Sequence, residues 1–322
     1  MKRGILFQVK NLSVGYFENI IAKDISFNLF PGEIVSLMGP NGSGKSTLLK
    51  TLSGLLPLIK GDILLLGKNI KSYSKKDLSK MISLVLTERP PLQYLSVKEV
   101  IALGRYPHTS FWGTLKKEDS DYIDDTISLL KLDSLKDRFF EELSDGQKQK
   151  VLIARAVVQD TPLIFLDEPT SFLDIPGKIE FFHFLKIFSK QKKKTIIFSS
   201  HDWELCLKYS HTLLFFEKGK SVKMATPEDF LLSKEHHSLL VRENFLPEKI
   251  KQSSDVYPNI NLQIGDLREK NWVIQALKKR DFFPNKKSFE IKKDGDFTLH
   301  SEGKLLIESP TLDKIFEKLE ES

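Results

Sequence analysis

Cysteine is nearly absent: Cys206 stands alone among 322 residues. One thiol cannot form an intrachain disulfide, and no cysteine-built metal site is possible. Such usage fits a reducing compartment, and Cys206 itself is expected to be a small buried apolar side chain. Long apolar runs are missing too, and nothing approaches the ~20 residues that span a bilayer. The opening MKRGILFQVK is basic but lacks the apolar stretch of a signal peptide. The cytosol is the expected location unless a partner holds the chain on a membrane. Charge of one sign is also lacking. The net charge is +6, and residues 241–322 carry 15 basic and 15 acidic side chains. The excess is dispersed through the first 240 residues, apart from KQKKK at 190–194. That run is expected to lie between a helix and the strand TIIFSS rather than to form a nucleic-acid patch. No internal repeat with a period of roughly 20–50 residues is present.

What the chain does have is enough apolar material, 40 %, for a packed core, with 29 % charged residues for a soluble surface. Its length allows one large domain or two smaller ones. Strands are expected at 5–12 and 25–37, with PGE (31–33) as a tight turn. IVSLM (34–38) is a short apolar run entering a glycine-rich loop, and SGKSTLLKTLSGL then reads as a helix stopping near Gly54. DILLLG (62–67) and ISLVL (82–86) are further strands, with the short polar helix SKKDLSKM between them. From 97 to 159 the apolar spacing becomes three and four, as in VKEVIALG, in 118–132 and in DGQKQKVLIARAVVQ. This region reads as a helical subdomain inserted into an α/β core. PLIFLDEP (162–169) and KKTIIFSSHD (193–202) are buried-strand runs separated by the helix IEFFHFLKIFSK (179–190). Such alternation predicts a parallel sheet covered by helices. HTLLFFEKGK (211–220) suggests a closing hairpin and TPEDFLLS (226–233) a capped short helix. Beyond 240 the pattern reads as a small strand–helix–three-strand–helix unit with Trp272 and Phe282 in its core.

Three strand ends carry candidate chemistry. GPNGSGKST at 39–47 fits G-x-x-x-x-G-K-[ST] between a strand and a helix. Gly39, Pro40, Asn41, Gly42, Ser43 and Gly44 would curl backbone N–H groups around phosphate oxygens, and the start of the helix would add positive charge. Lys45 would reach the β- and γ-phosphates, Ser46 would end the motif and ligate Mg²⁺, and the next residue, Thr47, is a further candidate for ATP binding. In LIFLDEPTS, Asp167 ends an apolar strand and would hold Mg²⁺ through water, while the adjacent Glu168 would polarise an attacking water. His201 follows TIIFSS, where its imidazole can touch the γ-phosphate, and Tyr16 in VGYFE can stack on a base.

A second helix start, ELSDGQKQK (142–150), has Ser144 as N-cap and Gln147 to complete a capping box, yet places Gly146 where helix propensity disfavours it. Taken with the phosphate loop, these pieces resemble the ATP-binding cassette (ABC) family over residues 5 to about 240, with its motifs in order. ELSDGQKQK is similar to that family's signature, usually LSGGQ. The resemblance implies an ABC-type nucleotide-binding domain at 1–240, with a parallel-sheet core, an antiparallel β subdomain and the helical insertion, followed by a C-terminal α+β accessory domain at 241–322. It further implies two cassettes packed head to tail, as a homodimer or with a relative. Ser144, Asp145, Gly146 and Gln147 of one copy would then face the ATP held by the other. SFLD (171–174) resembles the D-loop, with Asp174 at the dimer seam.

Two positions depart from the family pattern. Asp145 stands where glycine is usual, and its carboxylate favours the helix dipole but repels phosphate. Thr87, in SLVLTERPP, stands where glutamine is usual at the hinge to the helical subdomain. Glu88 could substitute through water, or the segment could couple by shape alone. ALGRYPH resembles a segment of the ATPases of iron–siderophore, haem and cobalamin importers. In those importers this face receives a permease helix, and Tyr106, Pro107, Phe111 and Trp112 suit such a partner surface.

The resemblance thus implies an importer ATPase at the cytoplasmic face of the membrane. It would use ATP and Mg²⁺, be held there by transmembrane permease subunits, and be served indirectly by a substrate-binding protein, with no nucleic acid. A non-transport ABC ATPase acting on nucleic acid or the ribosome is the alternative. Against it stand the single cysteine, the roughly hundred-residue gap from phosphate loop to signature, and the single cassette. A kinase with its own substrate is a third reading, and a monomeric kinase would have no use for a signature.

Overall fold

The computed structural model describes residues 4–17, 19–88, 91–110, 113–216, 221–232, 260–265, 269–270, 273–274, 277, 289–294, 296–301 and 303–321. The chain divides by packing into two units, Met1–Met224 and Ala225–Ser322. The boundary expected at 240 lies outside the described residues.

The first unit begins with β1 (Phe7–Tyr16) and β2 (Asn19–Leu29), an antiparallel pair. They are followed by β3 (Ile34–Met38), α1 (Lys45–Leu52), β4 (Lys60–Leu65), β5 (Lys68–Asn69), α2 (Lys75–Ser79) and β6 (Ile82–Val85). Three helices come next, α3 (Val97–Ala102), α4 (Lys117–Leu129) and α5 (Asp145–Val158). The unit closes with β7 (Leu163–Leu166), α6 (Ile175–Lys192), β8 (Thr195–Ser200), α7 (Trp203–Tyr209), β9 (Thr212–Phe216) and β10 (Val222–Ala225). The turn between the last two strands lies outside the described residues.

The strands form an antiparallel sheet ordered β2-β1-β4-β5 and a second sheet ordered β10-β9-β3-β8-β7-β6. In the second, β3 runs parallel to both β8 and β9, and β7 runs parallel to both β6 and β8. Every residue of β3, β7 and β8 is buried, which is why these strands read as unbroken apolar runs. The two sheets share one core, and Phe7 of β1 meets Phe165 of β7 edge to face at 6.1 Å. The connection from β6 to its neighbour β7 carries α3, α4 and α5, so the helical region is an insertion between adjacent parallel strands.

The first hairpin is longer than the expected 5–12 and 25–37 strands. β1 continues to Tyr16 and β2 begins at Asn19, with register shifts between Val9 and Leu12, Leu12 and Val14, and Val14 and Gly15. Each shift breaks the two-residue alternation that marks a strand in sequence. Gly15 is required there, because a Cβ would lie 2.1 Å from the Asn19 carbonyl oxygen. Helix α6 also starts before the expected 179: Asp174 caps it, accepting the Gly177 N–H at 3.0 Å, and proline stands in the first turn. The basic run at 190–194 closes the same helix. Lys193 is its left-handed C-cap, and Lys194 Nζ lies 2.7 Å from Asp160 Oδ1. Cys206 on α7 is buried, and burial pushes its thiol up to about 12.

The second unit contains α8 (Pro227–Leu232), β11 (Ile260–Gln263), β12 (Phe289–Asp294), β13 (Asp296–Ser301), β14 (Lys304–Ser309) and α9 (Leu312–Glu321). Its sheet order is β11-β12-β13-β14, parallel in the first pair and antiparallel after it. Val273 and Leu277 pack with Phe289, Ile291, Leu299 and Phe316 in its core. The expected core residues Trp272 and Phe282 lie outside the described residues. Asp229 of α8 accepts the Leu312 N–H at 2.8 Å, so one helix caps the next, and burial pushes its carboxyl up.

Candidate active site

The chain leaves buried β3 at Met38 and turns through Gly39, Pro40, Asn41, Gly42, Ser43 and Gly44 before α1 begins at Lys45. Gly42 and Gly44 hold φ of 76° and 103°, values that favour glycine. At Gly44 a Cβ would come within 2.2 Å of Ile21 Cγ2, so the antiparallel hairpin rests directly on the loop. At Gly42 a Cβ would meet nothing within 4 Å, so the loop is open on that side. Lys45 Nζ donates to the Gly39 carbonyl at 2.9 Å and the Pro40 carbonyl at 3.1 Å. Ser43 Oγ is buried without a hydrogen-bond partner among the described residues. Ser46 and Thr47 follow on the first turn of α1.

Asp167 and Glu168 come off the end of β7, beside the end of β8. Asp167 is 2 % exposed, and both its carboxylate oxygens are engaged. Oδ1 accepts from Ser199 Oγ at 2.6 Å and Oδ2 from Thr87 Oγ1 at 3.1 Å. Glu168 sits at φ 48° with its N–H donating to Ser199 Oγ at 2.8 Å and its carbonyl accepting from Ser171 Oγ at 2.9 Å. Those bonds hold a backbone conformation that glutamate rarely adopts. Its carboxylate spans two partners, with Oε2 3.0 Å from His201 Nδ1 and Oε1 4.0 Å from Lys45 Nζ. Lys45, the adjacent Asp167 and Glu168, and His201 come from three distant parts of the chain and form one cluster at the C-terminal ends of β3, β7 and β8.

Ser199 is the residue that sequence reasoning missed. Every position of β8 is buried, and a buried hydroxyl in such a strand must find polar partners. Thr87 belongs to the same cluster through Asp167. Glu88 does not, because it pairs with Lys50 of α1 at 3.1 Å. Tyr16 stands at the end of β1, half exposed, beside Phe17 at φ 52°.

The signature-like residues line a different place. Ser144, Asp145, Gly146 and Gln147 border a cleft of about 470 Å³ with Lys150, Phe172, Leu173 and Asp174. The capping box forms: Gln147 N–H donates to Ser144 Oγ at 3.4 Å, and Ser144 N–H to Gln147 Oε1 at 3.0 Å. Asp145 is the first helical residue of α5. Gly146 packs closely against the neighbouring loop, where a Cβ would lie 3.1 Å from the Phe172 carbonyl oxygen. In the ALGRYPH segment the polar side chains turn inward. Arg105 Nε meets Asp119 Oδ1 at 2.8 Å, and His108 Nε2 lies 2.9 Å from the Gln159 carbonyl. The Lys116 N–H, and after it Arg105, hold the Asp119 carboxyl below the usual range. Gly104 is forced by proximity, as a Cβ would come within 2.2 Å of the Arg155 carbonyl. Tyr106 is left 71 % exposed, while Phe111 and Trp112 lie outside the described residues.

The loop fits a polyphosphate: an open glycine turn, a helix start, a buried unpartnered hydroxyl and an ammonium converge there. The neighbouring oxygens also suit a hard cation. Among the described residues no three His, Cys, Asp or Glu side chains gather as a protein cage would require. One buried carboxylate and a serine hydroxyl are the donor set Mg²⁺ uses when phosphate and water complete its shell.

The sequence profile of the family described as ABC transporter matches residues 22–171. The petrobactin import ATP-binding protein FpuC of Bacillus anthracis is 36 % identical over 70 % of the chain and 83 % of its own length. The iron(3+)-hydroxamate import ATP-binding protein FhuC of Bacillus subtilis is 35 % identical over 67 % and 81 %. An uncharacterized ABC transporter ATP-binding protein of Methanocaldococcus jannaschii is 37 % identical over 70 % and 78 %. Among solved structures, an inward-facing ABC transporter described as metal-chelate type superposes with a TM-score of 0.63 at 29 % identity, over 74 % of the chain and 89 % of the other.

Proposed function

Since the chain belongs to the ABC transporter family, among its ATP-binding proteins, we propose that it is the ATP-hydrolysing subunit of a membrane importer for an iron–siderophore or related metal chelate. The observation that carries the hydrolytic part is the cluster of Lys45, Asp167, Glu168 and His201 at the C-terminal ends of β3, β7 and β8. ATP lies on the glycine loop, with Tyr16 against the base and Lys45 turned onto the β- and γ-phosphates. Ser46 directly and Asp167 through water would hold Mg²⁺, which would draw charge from the phosphate oxygens. Glu168 orients and polarises the attacking water, and His201 braces Glu168 beside the γ-phosphate.

In this reading two copies close head to tail. The cleft bordered by Ser144, Gly146, Gln147 and Asp174 supports it, being an exposed helix start on which a partner's phosphates can sit. Thr87 and Glu88 stand on the hinge to the helical region, whose exposed Tyr106 belongs to the permease-facing surface. Among the described residues no helix is long and apolar enough to cross a membrane. In this reading permease subunits hold the chain at the membrane, and a substrate-binding protein supplies the cargo. The names of the relatives support the chelate assignment.

The test is Glu168→Gln, introduced both in cells and in the purified chain. Uptake of ferric siderophores is expected to stop. The purified variant is expected to form an ATP-bound dimer that turns over at least about a hundredfold more slowly than wild type. Unchanged uptake would remove the importer assignment, and a monomer in saturating ATP would remove the head-to-tail arrangement.

A further inference from the structure

We propose that Thr87 and Ser199 are positioning residues that fix the Asp167 carboxylate from both sides, so that Thr87 acts on the metal through Asp167 and not by touching it. The inference rests on the reading of Asp167 as the Mg²⁺-side carboxylate.

The direction of each bond follows from the atoms. Ser199 Oγ accepts the Glu168 N–H at 2.8 Å, so its single proton goes to Asp167 Oδ1 at 2.6 Å. The Thr87 hydroxyl points its own proton at Asp167 Oδ2, 3.1 Å away, with the Asp167 carbonyl further off at 3.5 Å. The Asp167 N–H is fixed in turn on the Val85 carbonyl at 2.8 Å. A carboxylate with one donor on each oxygen cannot rotate without breaking a bond in a site that is 2 % exposed, where an unmade bond is costly. Each oxygen keeps a lone pair for the water of a metal shell.

Side-chain length decides the route. Threonine carries its hydroxyl on Cβ and reaches only what lies beside it, and Asp167 lies beside it. Glu88, which has the reach for a longer contact, is turned onto Lys50 at 3.1 Å. Among the described residues the 87–88 segment therefore meets the Lys45, Asp167, Glu168 and His201 cluster through one hydrogen-bonded carboxylate. A displacement of the segment lengthens or breaks the Thr87 bond and so frees one side of the Asp167 carboxylate. Ser199 links the same carboxylate to the backbone N–H of Glu168.

The test measures equilibrium affinity for a fluorescent ATP analogue in excess MgCl₂ and again in EDTA, using full-length wild type, Asp167→Asn, Thr87→Val, Thr87→Ser and Ser199→Ala. Thermal unfolding confirms that each is folded, and Thr87→Ala replaces Thr87→Val should the latter fail to fold. The expected result is that Thr87→Val and Ser199→Ala keep the EDTA affinity and lose at least about fivefold of the gain that Mg²⁺ gives. Thr87→Ser is expected to retain that gain. The proposal is overturned if Thr87→Val keeps the full Mg²⁺ gain, or if it weakens binding equally in both buffers. It is also overturned if Thr87→Ser behaves like Thr87→Val, since packing and not the hydroxyl would then be responsible. Loss of the gain in Asp167→Asn alone would leave the site reading intact and remove only the positioning claim. No Mg²⁺ gain in wild type would remove both.

Discussion

Lys45 holds its ammonium against two loop carbonyls and 4.0 Å from Glu168, so a nucleotide that takes this ammonium replaces those contacts with phosphate oxygens. Lys45→Ala is expected to weaken ATP binding about tenfold or more, read by nucleotide titration. Normal binding would place the phosphates elsewhere. That Lys45, Asp167 and Glu168 lie together was legible in the sequence, because each follows an apolar run that reads as a strand of one parallel sheet. Ser199 and the partner of Thr87 were not. A serine in a strand carries no spacing signal, and Thr87 meets Asp167 across 80 positions of chain. Gly146 was legible as an oddity of helix propensity, but its close approach to the Phe172 carbonyl was not.

Elements buried on both faces announced themselves. The strands Ile34–Met38, Leu163–Leu166 and Thr195–Ser200 read as continuous apolar runs because helices or sheet cover both sides. The hairpin of β1 and β2 was read too short because bulges interrupt its alternation, and the first turn of α6 was hidden behind Pro176 and Gly177. The helical insertion carries a pH-dependent tie. Arg105 and Asp119 form a nearly buried pair joining the segment after α3 to the start of α4. The folded value of Asp119 lies below its unfolded value, ordinarily about 3.9. This stabilisation is therefore present above the unfolded value and is lost as pH falls through the folded one. Urea unfolding between pH 7 and pH 3 is expected to show an acid limb that Asp119→Asn flattens. Arg105→Ala should cost about 3 kcal/mol at neutral pH by leaving the carboxylate unpaired. An unchanged acid limb in Asp119→Asn would place the titration elsewhere.

At the scale of the molecule, packing separates Met1–Met224 from Ala225–Ser322, and each unit has its own hydrophobic core. The glycine-loop residues 39–44, Lys45, the carboxylates Asp167 and Glu168, and the signature-like residues all belong to the first. A chain ending at residue 224 is expected to fold and to bind ATP within about twofold of the full protein, since each unit has its own hydrophobic core. Calorimetry and nucleotide titration on that fragment test this, and loss of binding would make the second unit part of the nucleotide site. The existence of a separate α+β unit could be anticipated from the change of pattern past 240, but its limits could not. Helix α8 precedes that change in sequence, yet packing assigns it to the second unit.

The hydrogen bond from Leu312 to Asp229 sets an order of events during synthesis. Its two ends are separated by 83 positions, so α8 leaves the ribosome long before the backbone group that will complete its contact exists. Domains tend to fold as units while the chain emerges. The nucleotide-binding unit is therefore ready to mature on the nascent chain, whereas its C-terminal companion must wait for its last helix. A stalled or prematurely terminated message would yield a first unit with its core complete, attached to an unfinished tail.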